Sequence, residues 1–409
     1  MGKGPAHLLL TACVAALVPS IGEAATEAEI EALRAEIAVL KTEHEARVGA
    51  LEARISQLET TNVSVAAAPA EPAQPAPAAT KSASSFNPAI SVILTGNYAN
   101  LSQDPADYHI AGFMPPEEGV GPGDRSFNLG ESEVTLSANI DPYFLGALTV
   151  AITSDNEIEV EEAYFRTLAL PAGLSVKGGQ FFSGFGYLNE VHAHAWDFID
   201  QPLVYQALFG GQMAQVGLQA KWLAPTDLFL EFGAETGSGE FFPGTRLEGN
   251  GVNGTALYAH TGGDLGDAIA WRAGLSWVDL DAEERSFEQE NALGETAQSA
   301  FTGSSRTWIL DATVKWTAQG DPRRRYLKLQ GEYMDRTEDG DLSYTALAPT
   351  LADRYRASQS GWYVQGVYQF LPRWRVGARY DSLDSGTPKI GLIESGTLGW
   401  DDFPLLAPA

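Results

Sequence analysis

The sequence has little of three things: cysteine, basic residues and long apolar runs. Its 409 residues include one cysteine, Cys13, and 26 Lys and Arg against 53 Asp and Glu, for a formal net charge of −27. One cysteine excludes an intramolecular disulfide framework. The acidic balance argues against nucleic acid as a partner, because nucleic-acid binding depends on basic patches that release counterions. No run approaches the ~20 apolar residues of a transmembrane helix.

The N-terminus has the composition of a secretory signal peptide. Lys3 is followed by an apolar run over 8–18 and by small residues around Ala24 and Ala25, so we assign residues 1–25 to a signal peptide. A lipoprotein signal ending at Cys13 is the alternative, because small residues also precede that cysteine. Both interpretations predict that the mature protein leaves the cytoplasm.

Residues 26–60 carry the pattern of a coiled coil. Apolar residues alternate at spacings of three and four, and after His44 the pattern resumes four residues on, which is a stutter. The residues of this seam are Ile30, Leu33, Ile37, Leu40, Val48, Leu51, Ile55 and Leu58. A two-stranded and a three-stranded coil would both bury it. Residues 61–86 are rich in Ala and Pro, and they predict an extended spacer.

From residue 87 to residue 409 the sequence consists of segments of about ten residues in which apolar and polar side chains alternate. In "WILDATVKW", for example, the apolar side chains of one face oppose Asp311, Thr313 and Lys315 on the other. Such alternation predicts β-strands with two unlike faces. A soluble sandwich would place the apolar face in its core, whereas a membrane barrel would place it in lipid.

Two features favour the membrane barrel. The apolar faces begin and end in tryptophan, as at Trp271 and Trp277 or Trp308 and Trp316, like the aromatic girdles of outer-membrane barrels. Tight turns also alternate with long loops, as they do between the periplasmic and extracellular ends of such barrels. The long loops are predicted at 103–125, 182–212, 237–251, 279–305 and 338–353. We therefore predict an all-β, antiparallel, porin-like transmembrane barrel with about thirteen strands in this chain.

The connection between the fifth and sixth predicted strands contains "YLNEVHAHAWDFIDQPLVYQ" and is too apolar for a solvated loop. We predict that it folds against the inner wall and narrows the pore. The predicted constriction residues are Glu190, His192, His194, Trp196, Asp197, Asp200 and Tyr205. The predicted basic residues of the facing wall are Lys315, Lys328, Arg336, Arg375 and Arg379. Acids opposite bases would orient polar solutes, and the acidic loop favours cations.

The two histidines of this loop have two interpretations. His192 and His194 can simply hydrogen-bond the loop to the wall. With Glu190 or Asp197 they can instead supply the nitrogen and oxygen ligands of a weak transit site for zinc or another divalent cation. No resident cofactor is predicted. We do not expect an enzyme, because Ser183 shares the loop with His192 but nothing marks it as an activated nucleophile.

Three stretches carry a resemblance to a known family: "FNLGESEVTLSANIDPYF", "EVEEAYFRTLAL" and "GQFFSGFGYLNEVHAHAWDFIDQPLVYQ". They resemble proteobacterial outer-membrane porins described as zinc-regulated and, more loosely, the phosphate-selective porins. The resemblance implies a trimer in the outer membrane, with the coiled coil in the periplasm. It also implies about sixteen strands in the complete barrel, so about three C-terminal strands are expected to be missing. A phosphate eyelet would need basic donors, yet residues 178–220 contain no Lys or Arg.

The sequence thus predicts an outer-membrane porin for passive diffusion of small polar or cationic solutes, with a link to zinc or other divalent cations as a further hypothesis. Its expected partners are outer-membrane lipid, other copies of the chain and small solutes. One alternative is an envelope tether, in which the coiled coil contacts the cell wall and the barrel is only an anchor. Another is a metal-importing receptor, which would need a plug domain that the coiled coil and spacer do not provide.

Overall fold

A computed structural model describes residues 88–408, apart from 106–107, 117–119, 154–156, 246–249, 292, 319–320, 322–323 and 347–348. The signal peptide, coiled coil and spacer predicted for 1–25, 26–60 and 61–86 lie outside the described residues, so they stay predictions. The described residues belong to one compact unit, Ser84–Ala409. None of the helices in this part of the chain has the length and hydrophobicity needed to cross a membrane.

Sixteen strands occur among the described residues. They are β1 (Ala89–Ile93), β2 (Gly96–Ala99), β3 (Ser126–Leu129), β4 (Ser132–Asn139), β5 (Phe144–Ile152), β6 (Ile158–Thr167), β7 (Leu174–Phe182), β8 (Ala214–Leu223), β9 (Phe229–Gly237), β10 (Gly254–Leu265), β11 (Ile269–Glu290), β12 (Thr296–Thr317), β13 (Tyr326–Thr345), β14 (Leu351–Leu371), β15 (Trp374–Asp384) and β16 (Lys389–Ile390). A short helix, Leu203–Phe209, lies between β7 and β8.

The main sheet is an antiparallel meander. Its order is β1-β4-β5 and then each strand in turn to β15, a path of thirteen strands. In addition β16 pairs with β14, and β2 and β3 form a separate two-stranded sheet. The predicted antiparallel all-β sheet is confirmed. Within the described residues β1 and β15 do not pair with each other, so this path has two ends.

The strands bury their polar faces and expose their apolar faces. On β12, Trp308 and Leu310 are 53% and 54% exposed, whereas Asp311 and Thr313 are 5% and 8% exposed. Other buried polar side chains on neighbouring strands are Glu235, His260, Ser276, Gln330, Glu332 and Gln365. A soluble sandwich requires the opposite burial, so that alternative is wrong. An outward apolar face is what contact with lipid tails requires.

Four strands are much longer than a bilayer crossing needs. β11 to β14 have 20 to 22 residues each, whereas about 9–11 residues suffice to span a bilayer. The outer face changes from apolar to polar near the paired residues Trp277 and Trp308, because exposed residues beyond them include Glu288, Thr302 and Arg354. These extensions therefore lie beyond the apolar band.

The extensions correct two loop predictions. Residues 279–305 and 338–353 were expected to be long loops, but most of them continue the hairpins β11–β12 and β13–β14. Here the alternation is that of a water-exposed sheet, with Ala297 and Phe301 buried and Thr302 exposed. The inner face of the extensions forms an apolar cluster with the C-terminal residues Phe403 and Leu406.

Arginine in place of Ala312 tests whether the apolar band faces lipid. Ala312 lies midway between Trp308 and Trp316 on the exposed face of β12, so a charge there should cost about 2–4 kcal/mol for protein folded in phospholipid vesicles. The control Gln298→Arg, on the exposed extension of the same strand, should change the free energy of unfolding by less than ~1 kcal/mol. Denaturant titration in vesicles measures both. Equal stabilities would contradict a lipid-facing band.

Candidate functional site

The connection between β7 and β8, residues 183–213, lies on the inner face of the sheet. We call it the inward loop. Its apolar residues Phe185, Tyr205, Leu208 and Phe209 are buried in one cluster. The wall side of this cluster comes from five successive strands, through Ala256, Val278, Ile309, Met334 and Tyr363. Burial of so many large side chains provides the main force that holds the loop against the wall.

Polar contacts of the inward loop extend from β4 to β15, which is nearly the whole sheet. At one end of the strand order, His194 bonds to Glu133 of β4, and at the other the backbone N–H of Leu203 donates to Asp381 of β15. Lys221 of β8 lies between them and pairs with Glu190. One segment can contact strands from β4 to β15 only if the sheet curls around it.

The carboxylate of Glu332, on β13, is the central polar anchor of the loop. It accepts hydrogen bonds from the backbone N–H groups of Tyr187 and Leu188, both at 3.1 Å. The hydroxyls of Tyr205 and Tyr363 donate to the same carboxylate at 2.9 and 2.7 Å. Buried polar groups need such partners, so these four donors and Glu332 depend on one another.

The short helix positions Tyr205 for this contact. It starts after Pro202 and ends at Gly210, whose φ of 64° is a left-handed conformation that glycine adopts without strain. The helix turns Tyr205 toward Glu332 and Leu208 toward the apolar cluster. The backbone carbonyl of Leu208 accepts from Arg336 at 2.9 Å.

The predicted loop acids are in direct contact with wall bases. Asp197 pairs with Lys328 at 3.0 Å and with Arg375 at 3.1 Å, and Asp200 pairs with Arg379 at 2.8 Å. These charges therefore meet as ion pairs and do not face each other across a gap.

The remaining predicted residues have other surroundings. Arg336 is fully buried and donates to Gln359 as well as to Leu208. The ammonium group of Lys315 lies 4.9 Å from the ring centre of Tyr326. Trp196 donates its indole N–H to the carbonyl of Val191 at 2.6 Å, within the loop.

The two loop histidines lie in a cluster of wall glutamates. Nδ1 of His192 is 3.1 Å from Glu161 and 3.4 Å from Glu133, and Nε2 is 3.2 Å from Glu162. Nδ1 of His194 is 2.6 Å from the second carboxylate oxygen of Glu133. Both histidines therefore bond the loop to β4 and β6. We call these five residues the His–Glu cluster.

A β-bulge explains how adjacent glutamates reach the same imidazole. Across β5 and β6, Thr149 pairs with Glu162 and Val150 pairs with Val160, which leaves Glu161 as an extra residue. A bulge of this kind re-aims a side chain that regular alternation would send to the other face. Glu161 and Glu162 therefore both contact His192.

The predicted metal group His192, His194 and Asp197 is not brought together. Asp197 bonds to Lys328 and Arg375 instead, on the other side of the loop. Carboxylates from β4 and β6 take its place beside His192. The segments "ESEV" and "EVEE" did indicate that acidic residues face inward on β4 and β6. The alternation of residues alone, however, does not reveal the bulge that brings Glu161 and Glu162 to the same imidazole.

The surroundings of the His–Glu cluster shift the pKa values of His192 and of the nearby Glu131. Burial alone would lower the pKa of His192, but hydrogen bonds from the imidazole to Glu133, Glu161 and Glu162 raise it to about 12. Glu131, just before β4, is beside Glu161. Burial and a hydrogen bond shared with Glu161 raise the pKa of Glu131 to about 9. The acidic groups thus compete for few positive partners.

A cavity of about 870 Å³ lies beside the inward loop and is lined by Gly210 to Gln212 of the loop and by parts of β6 and β11. Its acidic lining residues are Glu131, Glu159, Glu161, Glu240, Glu283 and Glu284. Among the described lining residues only Arg285 is basic, and its guanidinium is buried against Glu338 at 2.8 Å. The cavity is therefore an acidic space beside the inward loop.

Together, the fold and the site define a class of protein: a curled antiparallel sheet with an apolar outer band, an inward loop and an acidic cavity.

No family model matches the chain. A protein of Aquifex aeolicus (strain VF5), described as an uncharacterized protein, is 33% identical over 330 residues, which cover 76% of this chain and 67% of the relative. The chain belongs to the same family as this protein.

Solved structures of outer-membrane proteins are weakly similar. Pseudomonas putida OprB is 13% identical with a TM-score of 0.38, over 72% of this chain and 89% of that chain. The trimer form of Vibrio cholerae OmpT is 12% identical with a TM-score of 0.31, over 73% of this chain and 89% of that chain. The outer membrane channel DcaP of Acinetobacter baumannii is 11% identical with a TM-score of 0.27, over 72% of this chain and 88% of that chain. These TM-scores are too low to carry an argument, so the proposals below rest on the contacts of this chain.

Glu332→Gln tests the anchor of the inward loop. Glutamine has one acceptor oxygen where glutamate has two, so buried donors lose partners at a cost of about 1–2 kcal/mol, which opens the loop roughly 5- to 30-fold more often. Chymotrypsin should then cleave the aromatic-rich inward loop faster by that factor, and mass spectrometry measures the cleavage rate. The mobility of unheated protein on a gel shows whether the sheet is intact. Glu288→Gln, on the exposed face of β11, is the control. Equal cleavage rates would rule out the anchoring role.

Proposed function

We propose that this protein is an outer-membrane channel of the porin kind, through which small polar and cationic solutes diffuse passively. The observation that carries the proposal is the inverted sheet, which exposes an apolar band and curls around an inward loop and an acidic cavity. Such a protein is unstable in water but suited to a membrane. A polar interior at membrane depth is tolerated where protein or water covers it.

Dimensions support the membrane assignment. From Trp308 to Trp316 the strand rises ~26 Å. At the strand tilt of about 40° that is usual in outer-membrane barrels, this length spans ~20 Å of membrane thickness, close to their apolar band of about 25 Å. The short turns, such as 140–143 and 372–373, lie at the opposite end from the long hairpin extensions. We therefore assign the short turns to the periplasmic side of the membrane. The hairpin extensions, and the strand ends from which the inward loop starts, are assigned to the outer side.

The charges of the cavity favour cations. Six glutamates line it, and the nearby arginine is already neutralised by Glu338. A low-dielectric wall concentrates the field of such a row, which raises the local concentration of cations and lowers that of anions. The same acidic lining argues against phosphate as the solute, because a phosphate pore needs basic donors. The resemblance to phosphate-selective porins therefore does not identify the solute.

The inward loop sets the size limit in this proposal. Its large apolar residues are fixed to five strands, and its acids are tied to wall bases. A loop held in this way narrows the interior permanently and does not need to move for each solute. Passive conduction then depends on the space between the loop and β6, where the cavity lies.

Several further assignments are proposals of the same kind. The coiled-coil pattern of 26–60 and the porin resemblance favour a homotrimer, with the coiled coil in the periplasm near the cell wall. The resemblance to zinc-regulated porins extends the solute range to divalent cations. We propose no enzymatic activity, because Ser183 donates to Glu235 and His192 is bonded to three glutamates, so they do not form a catalytic pair.

Planar-bilayer recording across a salt gradient tests the function. The purified full-length protein should form open channels whose reversal potential shows cation preference. In the triple variant Glu159→Gln, Glu240→Gln and Glu283→Gln, the cation-to-anion permeability ratio should fall several-fold, because three acidic residues of the lining lose their charge. Glu288→Gln, outside the cavity, should leave the ratio unchanged. Absence of channels, anion preference or an unaltered ratio in the triple variant would each contradict the proposal.

A further inference from the structure

We infer that Glu133, Glu161 and His192 form a binding site for a divalent transition-metal cation in the channel wall. The inference deepens the proposed function and rests on it, because the cation reaches the site from the cavity. One carboxylate oxygen of each glutamate and one ring nitrogen of His192 lie within 4.8 Å of one another. The three residues come from three different elements, β4, the bulge of β6 and the inward loop.

The geometry around His192 is that of an oriented ligand. Its Nδ1 faces the two carboxylates, whereas its Nε2 is held by Glu162 at 3.2 Å. Metal-bound histidines commonly have this arrangement, in which the second ring nitrogen donates to a carboxylate that fixes the ring. Glu162 is itself held, because it accepts from the backbone N–H of Phe182 and lies 4.0 Å from Lys177.

Glu133 is oriented in the same way. Its Oε1 contacts Nδ1 of His194 at 2.6 Å, which leaves Oε2 turned toward Nδ1 of His192. Glu133 is 2% exposed, so its carboxylate needs a positive partner at this point. Glu131 adds a further acidic group beside Glu161 and also lines the cavity. The acidic groups outnumber the positive partners, which favours a divalent cation.

The donor set indicates the class of metal. An imidazole nitrogen with two carboxylate oxygens suits Zn²⁺ and similar first-row cations, whereas Ca²⁺ and Mg²⁺ prefer oxygen ligands alone. Three protein ligands leave a coordination position open. Of the three residues, Glu161 lines the cavity, so the site borders the proposed solute path. A site of this kind exchanges its ion, as required for transit or for reversible block.

Isothermal titration of the folded full-length protein in detergent, with Zn²⁺ alone as the probe, tests the site. One Zn²⁺ should bind per chain, and excess Ca²⁺ should not displace it. His192→Ala and Glu161→Gln should each weaken binding at least tenfold, and His194→Gln, a change in an orienting residue, should weaken it about 10- to 100-fold. His109→Gln and Glu288→Gln, both outside the cavity lining, are the matched controls and should bind as the parent does. Unheated gel mobility identifies any variant that fails to fold.

The outcomes separate this inference from the proposed function. Conducting channels without stoichiometric Zn²⁺ binding would overturn the metal site but not the channel. In that case protonated His192 would be the cation that balances the glutamates of the His–Glu cluster. Equal Zn²⁺ affinity in the parent and in His192→Ala would overturn it as well. Zn²⁺ binding that depends on His192 in a protein without conductance would support the site and contradict the channel.

Discussion

Glu332 accepts hydrogen bonds from both halves of the inward loop. The N–H groups of Tyr187 and Leu188 belong to its beginning, and the hydroxyl of Tyr205 belongs to the helix near its end. One carboxylate on β13 therefore fixes two distant parts of the loop to the same point of the wall. A carboxylate buried without donors would cost several kcal/mol, so sheet and loop satisfy each other and neither arrangement is stable alone.

The position of Glu332 follows from strand register. Glu231, His260, Gly274, Asp311 and Glu332 are successive register partners across β9 to β13, and they form a polar row at the depth of the apolar outer band. Gly274 lacks the side chain that would collide with Asp311 and His260. The inner wall is thus polar where the outer wall is most apolar. Only loop residues or water can complete its hydrogen bonds, and the inward loop supplies donors to Glu332 from Tyr187, Leu188 and Tyr205.

Local periodicity predicted the sheet well, because the two-residue repeat and the tight turns are properties of short segments. It did not predict the hairpin extensions. There the exposed face of the strands is polar, so the sequence has the composition of a loop although the backbone continues as a strand. It grouped Asp197 with the histidines because they are close in sequence, although the loop turns Asp197 toward Lys328. It also missed Glu161 and Glu162, because a single extra residue in β6 decides which face they occupy. Partners in this site are set by bulges and by strand order, which no short window of sequence contains.

The two sides of the inward loop have different electrostatic roles. On the β13–β15 side, Asp197 and Asp200 are matched by wall bases, so these charges nearly cancel and act mainly as ties. On the β4–β6 side, His192 and His194 enter a group of glutamates that exceeds them in charge and opens toward the cavity. The field of matched pairs falls off over a short distance, whereas the field of the excess negative charge extends into the cavity. We therefore propose that the cation selectivity of the channel originates at the histidine side, and that the ion pairs on the β13–β15 side keep the loop in place.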